Sequence, residues 1–149
     1  VIGEAVDTLK LDITAEPKLF PFIGNRAYRK FMPMKQGDLA EPSFGASSYA
    51  WGGESINIFR FDVPRTAINQ EFTLVAQTNN GVELLNADGE QILAGKVGDE
   101  LTNGKFNLTV RELNARPGTE FILTRQERLN TILDLYILFK IEYNECILI

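Results

Sequence analysis

Phe72-Thr-Leu-Val-Ala-Gln77, Thr78-Asn-Asn-Gly81, Val82-Glu-Leu-Leu-Asn86, Ala87-Asp-Gly89 and Glu90-Gln-Ile-Leu-Ala94 follow one another without a gap, apolar runs of strand length divided by polar reversals. The pairs Asn80-Gly81 and Asp88-Gly89 tolerate the positive φ that tight antiparallel reversals need, so the stretch predicts a β-meander. Before it, Ile56-Asn-Ile-Phe-Arg-Phe-Asp-Val63 predicts a strand with Ile56, Ile58, Arg60 and Asp62 on one face and Asn57, Phe59, Phe61 and Val63 on the other. Pro64 has no amide donor and ends it. After the meander, Phe106, Leu108 and Val110 alternate with Asn107, Thr109 and Arg111, the pattern of a half-buried strand. Pro117-Gly118 turns the chain into Thr119-Glu-Phe-Ile-Leu-Thr124. Five or six strands with turns between them fit a small sandwich. The expected class is α+β, mainly β: an antiparallel sandwich or jelly-roll-like module flanked by short N- and C-terminal helices.

The flanks supply the helices. Gly3-Glu-Ala-Val-Asp-Thr-Leu-Lys-Leu11 sets Val6 and Leu9 on one helical face, and a helix so short must dock to persist. Pro17 and Pro21 then exclude a long helix and predict an extended connector laid against the core. Asn25-Arg-Ala-Tyr-Arg-Lys-Phe31 resumes a helical turn with Arg26, Arg29 and Lys30 exposed, read as a solvated basic face in preference to an anion site. At the other end Thr124-Arg-Gln-Glu127 has the form of a capping box, and Leu129, Ile132, Leu133 and Tyr136 come after it at helical spacing. Over 137–143 the period shortens, with Phe139, Ile141 and Tyr143 alternating with Lys140 and Glu142 as in a strand. The 149 residues divide as one domain: helix and Pro-rich connector over 1–31, an irregular loop over 32–55, a β core over 56–124, and helix and strand over 125–149. The absence of an initiator methionine and the apolar Cys146-Ile-Leu-Ile149 ending lead us to expect a fragment of a longer chain, with no signal peptide in the part in hand.

Composition excludes several chemistries. Hydrophobic residues make up 44% and charged ones 23%, as in a globular domain, and the net charge of −5 disfavours duplex nucleic acid or an anionic membrane. There is no histidine, so Ser-His and Cys-His nucleophile pairs and imidazole metal ligation are impossible within the chain. Cys146 is the single cysteine, which rules out an internal disulfide and a cysteine zinc cluster; it reads as a small packed residue. Neither phosphate-loop fingerprint is present, Gly95-Lys-Val-Gly98 being too short. An enzyme built on a carboxylate pair would need Asp62 to converge with Glu71 or Glu120. No catalytic, cofactor or metal residue is expected. On the irregular loop, Phe44, Tyr49 and Trp51 stand out. Anchoring the loop onto the sandwich is the first reading of these rings, and stacking on a sugar or a partner the second. For saccharide or partner contact the candidates are Tyr49 and Trp51.

Several short stretches together carry a family resemblance. Ile2-Gly-Glu-Ala-Val-Asp-Thr-Leu-Lys-Leu-Asp-Ile13, Glu16-Pro-Lys-Leu-Phe-Pro-Phe-Ile-Gly24, Phe61-Asp-Val-Pro64, Ile92-Leu-Ala-Gly-Lys-Val-Gly98 and Ala115-Arg-Pro-Gly-Thr-Glu-Phe121 followed by Thr124-Arg125 occur in the order found in bacterial polysaccharide co-polymerases. The chain resembles the periplasmic part of these chain-length determinant proteins, in the branch fused to a cytoplasmic tyrosine autokinase, over about 1–31 and 56–143. The resemblance implies a periplasmic, non-catalytic portion of an inner-membrane protein that regulates capsular or exopolysaccharide chain length and export. It also implies a homo-oligomer in contact with polysaccharide and the polymerase or export machinery, with ATP and magnesium needed only in a kinase domain absent from this stretch. Tyr28, Tyr49, Tyr136 and Tyr143 are scattered and inherit no autophosphorylation role from it. For oligomer contacts, the two terminal helices are the candidates. The acidic net charge leads us to expect neutral or cationic ligands rather than a polyanion. An alternative reading is a free-standing carbohydrate-binding module of a secreted or periplasmic protein.

Overall fold

The computed structural model describes residues 2–4, 12–127, 132–133 and 135–142. In chain order they form β1 (Ile13–Pro17), α1 (Gly24–Lys30), β2 (Ser55–Asp62), a 3-10 turn (Arg65–Ala67), β3 (Glu71–Ala76), β4 (Gly81–Leu85), β5 (Gln91–Lys96), β6 (Leu101–Thr102), β7 (Asn107–Asn114) and β8 (Glu120–Arg125). Two antiparallel sheets result, one in the order β1-β8-β3-β4-β5 and one in the order β2-β7-β6. Residues 2–4 and 135–142 are helical, so the class is α+β, mainly β, with short terminal helices.

Alternation explains the core. Phe72 and Leu74 on β3, Val82 and Leu84 on β4, Leu93 on β5 and Phe121 and Leu123 on β8 point inward from the larger sheet. They meet Ile58, Phe61, Leu108 and Val110 of the smaller one. Phe61 stands edge-on to Phe72 at 5.8 Å, and Phe72 to Phe106 at 5.6 Å, so one ladder of rings crosses the core.

The meander forms as its turn chemistry predicts, with one shift. Positive φ falls on Asn79 (55°) and Asn80 (58°), not on Gly81, and the Gly81 amide donates to the Thr78 carbonyl at 3.1 Å. Asparagine tolerates the left-handed region, so the reversal centres on both asparagines. Gly81 is wanted for space instead, since a Cβ there would lie 2.9 Å from that of Gln77.

Three sequence expectations are corrected. The alternation read for β2 breaks at Phe59: Ile58 pairs with Val110 and Arg60 with Thr109, leaving Phe59 bulged between them. The extra residue exchanges the two faces for the rest of the strand, so Ile58 and Phe61 are both buried while Phe59 is 48% exposed. The Thr124-to-Glu127 capping box does not form, because Thr124 lies within β8 and pairs with Thr14 on one side and Glu71 on the other. A strand with partners on both edges satisfies its amides in the sheet and has no helical donors to cap. The strand read over 137–143 is helical through 142, Tyr143 lying outside the described residues. Leu133, Ile137 and Ile141 repeat at four-residue spacing, and a helix already formed extends at the gain of one hydrogen bond per residue without a neighbouring strand. Most of the reading of 3–11 as a helix, and Cys146, fall outside the described residues.

One further strand comes from the connector. Residues 13–17, expected as an extended segment against the core, are β1, which pairs along β8 from Ile13 opposite Arg125 to Pro17 opposite Phe121. Pro17 closes the strand at an edge, where a missing donor costs no ladder bond.

Candidate functional site

The two ends of the β1–β8 pair differ in chemistry. At one end the chain enters β1 through Asp12 and leaves β8 through Arg125. Asp12 is 4% exposed, and its carboxylate lies 2.7 Å from an Arg125 guanidinium nitrogen. The other Nη of Arg125 donates to the Phe61 carbonyl at 3.2 Å and faces Asp62 at 3.9 Å, so the cation ties β1, β2 and β8 together. Asp62 is further paired with Arg60 on its own strand. The Gln126 amide donates to the Asp12 carbonyl at 2.8 Å, fastening the outgoing chain to the incoming one.

At the far end, about 13 Å along β1, residues 18–54 fold back as a lobe. Lys18 and Ala50 anchor it: the Lys18 amide donates to the Glu120 carbonyl, the Ala50 amide to the Lys18 carbonyl, and the Glu120 amide to the Ser48 carbonyl, all within 3.0 Å. The Lys18 ammonium reaches the Glu120 carboxylate at 2.7 Å, and that hydrogen bond, against some desolvation, raises the lysine pKa. Glu54 is 3% exposed and closes the loop, its carboxylate accepting from the Trp51 and Gly52 amides at 3.1 and 2.7 Å. α1 is held by Tyr28, whose hydroxyl donates to the Glu54 carbonyl at 2.8 Å. From β7 and beyond, Asn114 donates to the Gly37 and Gly53 carbonyls and Arg116 to that of Leu39.

The aromatic residues of the lobe form a stack. Phe20 lies face to face with Trp51 at 5.4 Å and with Phe44 at 6.0 Å, and meets Tyr49 edge-on at 5.2 Å. Trp51 is 4% exposed and donates its indole N–H to the Ala46 carbonyl. Lys18 stands over the Tyr49 ring at 5.0 Å. Both sequence candidates for saccharide contact, Tyr49 and Trp51, pack on Phe20, Trp51 buried and Tyr49 half-buried. The open rings are Phe44, 81% exposed, and Phe22, fully exposed, both at positive φ (56° and 66°). Phe44 is visible in the sequence as a loop aromatic; Phe22 carries no signal beyond its place between Pro21 and Gly24.

Burial raises the Tyr28 pKa above its usual value of 10, and the nearby Glu54 carboxylate adds to the shift. A raised pKa means that the folded state keeps the proton longer than the unfolded state does. Stability is thus complete below pH 10 and falls as pH rises through the folded value; Lys18 acts in the same sense above 10.5. Tyr28→Phe is expected to cost about 1 kcal/mol at pH 7 through the lost hydrogen bond. That difference from the parent shrinks as pH rises through 10 and beyond, and urea unfolding across the range reads it; a pH-independent gap would refute the assignment.

Of the carboxylates weighed for catalysis, Asp62 lines a cleft with Asp12, Arg60 and Arg125 that neither Glu71 nor Glu120 lines. Glu71 and Glu120 sit four rungs apart on the β3–β8 ladder, opposite Thr124 and Val75, which is about 13 Å. Glu120 is bound to Lys18 and Asp62 to Arg60.

Known proteins give this arrangement a context. The family model for the tyrosine-protein kinase Wzc N-terminal domain matches residues 13–126, running through the 32–55 loop that the short motifs leave out. EpsB of Ralstonia solanacearum is 38% identical over 137 residues, covering 89% of this chain. The tyrosine-protein kinases etk of Escherichia coli K12 and wzc of Salmonella typhi are each 27% identical over 89% of the chain. The chain spans 18% of the length of EpsB and 16% of the other two.

Proposed function

This chain belongs to the family of the tyrosine-protein kinase Wzc N-terminal domain, and from that premise we propose that it is the periplasmic module of an inner-membrane protein controlling the chain length and export of capsular or exopolysaccharide. The observation that carries the reading is the antiparallel pairing of β1 with β8, Ile13 opposite Arg125, which brings the incoming and outgoing chain to one end of the module. A segment looped out between two membrane spans needs both ends on one side. Asp12 and Arg125 hold them there through a largely buried ion pair. In this reading the module is a non-catalytic scaffold, assembles with further copies of itself, and leaves phosphoryl transfer, with its ATP and magnesium, to a cytoplasmic domain elsewhere in the protein. No helix among the described residues is long and apolar enough to cross a membrane, which leaves spanning to other parts of such a protein.

Cysteine labelling of the full-length protein in intact cells tests the placement. With Cys146→Ser as background, Asp88→Cys puts a thiol on the exposed β4–β5 turn. A maleimide that crosses the outer but not the inner membrane is expected to label it without permeabilisation. Labelling only after the inner membrane is opened would put the module in the cytoplasm and end the proposal.

A further inference from the structure

The lobe carries a charge opposite to that of the molecule. Residues 18–54 hold five cations, Lys18, Arg26, Arg29, Lys30 and Lys35, against Asp38, Glu41 and the buried Glu54, a net of +2 within a chain of −5. Lys18 is engaged by Glu120 and Glu41 by Arg116, whereas Arg26, Arg29 and Lys30 have no carboxylate partner among the described residues. They line the exposed side of α1, and α1 begins two residues beyond Phe22. The two open rings belong to the approach to this helix: Phe22 lies in the turn that leads into α1, and Phe44 packs on Phe20, whose carbonyl accepts from the Gly24 amide at the start of α1. Phe44 caps a stack whose lower members, Phe20 and Trp51, are tied into the lobe, so its outer face is presented by a supported platform rather than by a loose side chain. Phe22 and Phe44 are held at positive φ, a conformation that bulky side chains rarely adopt and that tends to mark functional positions.

Cations interspersed with flat apolar faces match one ligand chemistry well. A pyranose presents a C–H face that packs on a phenyl ring, and a uronic acid adds a carboxylate that a guanidinium grips in bidentate fashion. We propose that the α1–Phe44 surface of the lobe is a docking site for a carboxylate-bearing polysaccharide, with Arg26 and Arg29 on the carboxylates and Phe44 and Phe22 on the sugar faces. This rests on the polysaccharide reading given above and deepens it. It also reverses the expectation drawn from net charge: the acidity lies elsewhere on the molecule, and the lobe is locally basic. Long-range repulsion from the acidic body is damped beyond about 8 Å at physiological ionic strength, so the local cations decide.

The test is a titration of the 149-residue chain, followed by NMR and calorimetry, with three probes: hexagalacturonate, neutral maltohexaose, and phosphatidylglycerol vesicles. Hexagalacturonate is expected to bind at least tenfold more tightly than maltohexaose, to shift the resonances of Phe22, Arg26, Arg29 and Phe44, and to weaken as salt rises. Arg26→Glu/Arg29→Glu and Phe44→Ala should each weaken it tenfold or more with the thermal midpoint unchanged, since these side chains are exposed. Binding of vesicles without binding of hexagalacturonate would replace the proposal by a membrane-docking surface. Equal binding of the neutral hexamer, or none of either, would overturn it. Because periplasmic labelling at Asp88→Cys does not depend on sugar, such a failure leaves the placement of the module standing and is told apart from it.

Discussion

Arg125→Met will remove about 3 kcal/mol of folding stability, read as a lowered urea midpoint at unchanged slope. The size comes from what the arginine leaves behind. Asp12 is 4% exposed, and without its partner at 2.7 Å the carboxylate is buried with no compensating charge. Losing one member of a buried pair costs about 3–5 kcal/mol. The lower end applies because the Arg125 head is itself 26% exposed, so water replaces part of what is lost. The Phe61 carbonyl loses its donor at the same time. Asp12→Asn in the Arg125→Met background should recover part of the stability, because the neutral amide no longer carries a buried charge, and the double-mutant cycle should show coupling of about 1 kcal/mol or more. A single-variant loss under about 1 kcal/mol, with no coupling, would mean that the pair does not hold the two chain ends together. In the full-length protein, loosening this junction would let the incoming and outgoing segments separate where they are proposed to meet the membrane.

Gly53→Ala is expected to cost about 3 kcal/mol or more, combining a strained backbone with overpacking. Gly53 sits at φ 86°, and a Cβ there would fall 2.1 Å from the Asp38 carbonyl oxygen and 2.9 Å from the Phe31 ring. The obstacle is backbone, which a rotamer change cannot clear. The adjoining Glu54 carboxylate then loses its alignment with the Trp51 and Gly52 amides, and the lobe opens from its closing turn. Trp51 is the only tryptophan and is 4% exposed, so its fluorescence should shift to the red as the lobe opens. Gly37→Ala is the matched control: φ is 89° there, but nothing lies within 4 Å of the added methyl. Only the conformational cost of about 1 kcal/mol remains at that position. If the two glycines cost the same, close approach is not what Gly53 provides.

The difference between these glycines shows where sequence reading stops. Both lie in the irregular 32–55 stretch, and both read there as loop glycines. Which of them touches a carbonyl is settled by Asp38, from earlier in the loop, and Phe31, from the end of α1, coming round against Gly53. The same holds for the aromatic residues. Tyr49 and Trp51 are recognisable as the rings of an unusual loop, but Phe20, from the connector, covers Trp51 and turns it inward. The rings left open are Phe44 and Phe22, which composition and spacing do not distinguish from any other phenylalanine.

Local order in the sequence determined the strands of the meander, the turns that join them, the alternation of β7 and β8, and α1 with its basic face. Period-two burial and turn chemistry act between near neighbours, so neighbours suffice to read them. Tertiary structure alone decided the rest. It made the connector a strand by laying it on β8, bringing Ile13 opposite Arg125, and it bulged β2 at Phe59 to fit β7. It also set the cations of α1 and the open rings on one lobe, at the end away from the Asp12–Arg125 junction. Each of these rests on partners distant in the chain, and periodicity says which face of a segment is apolar without saying what that face will meet.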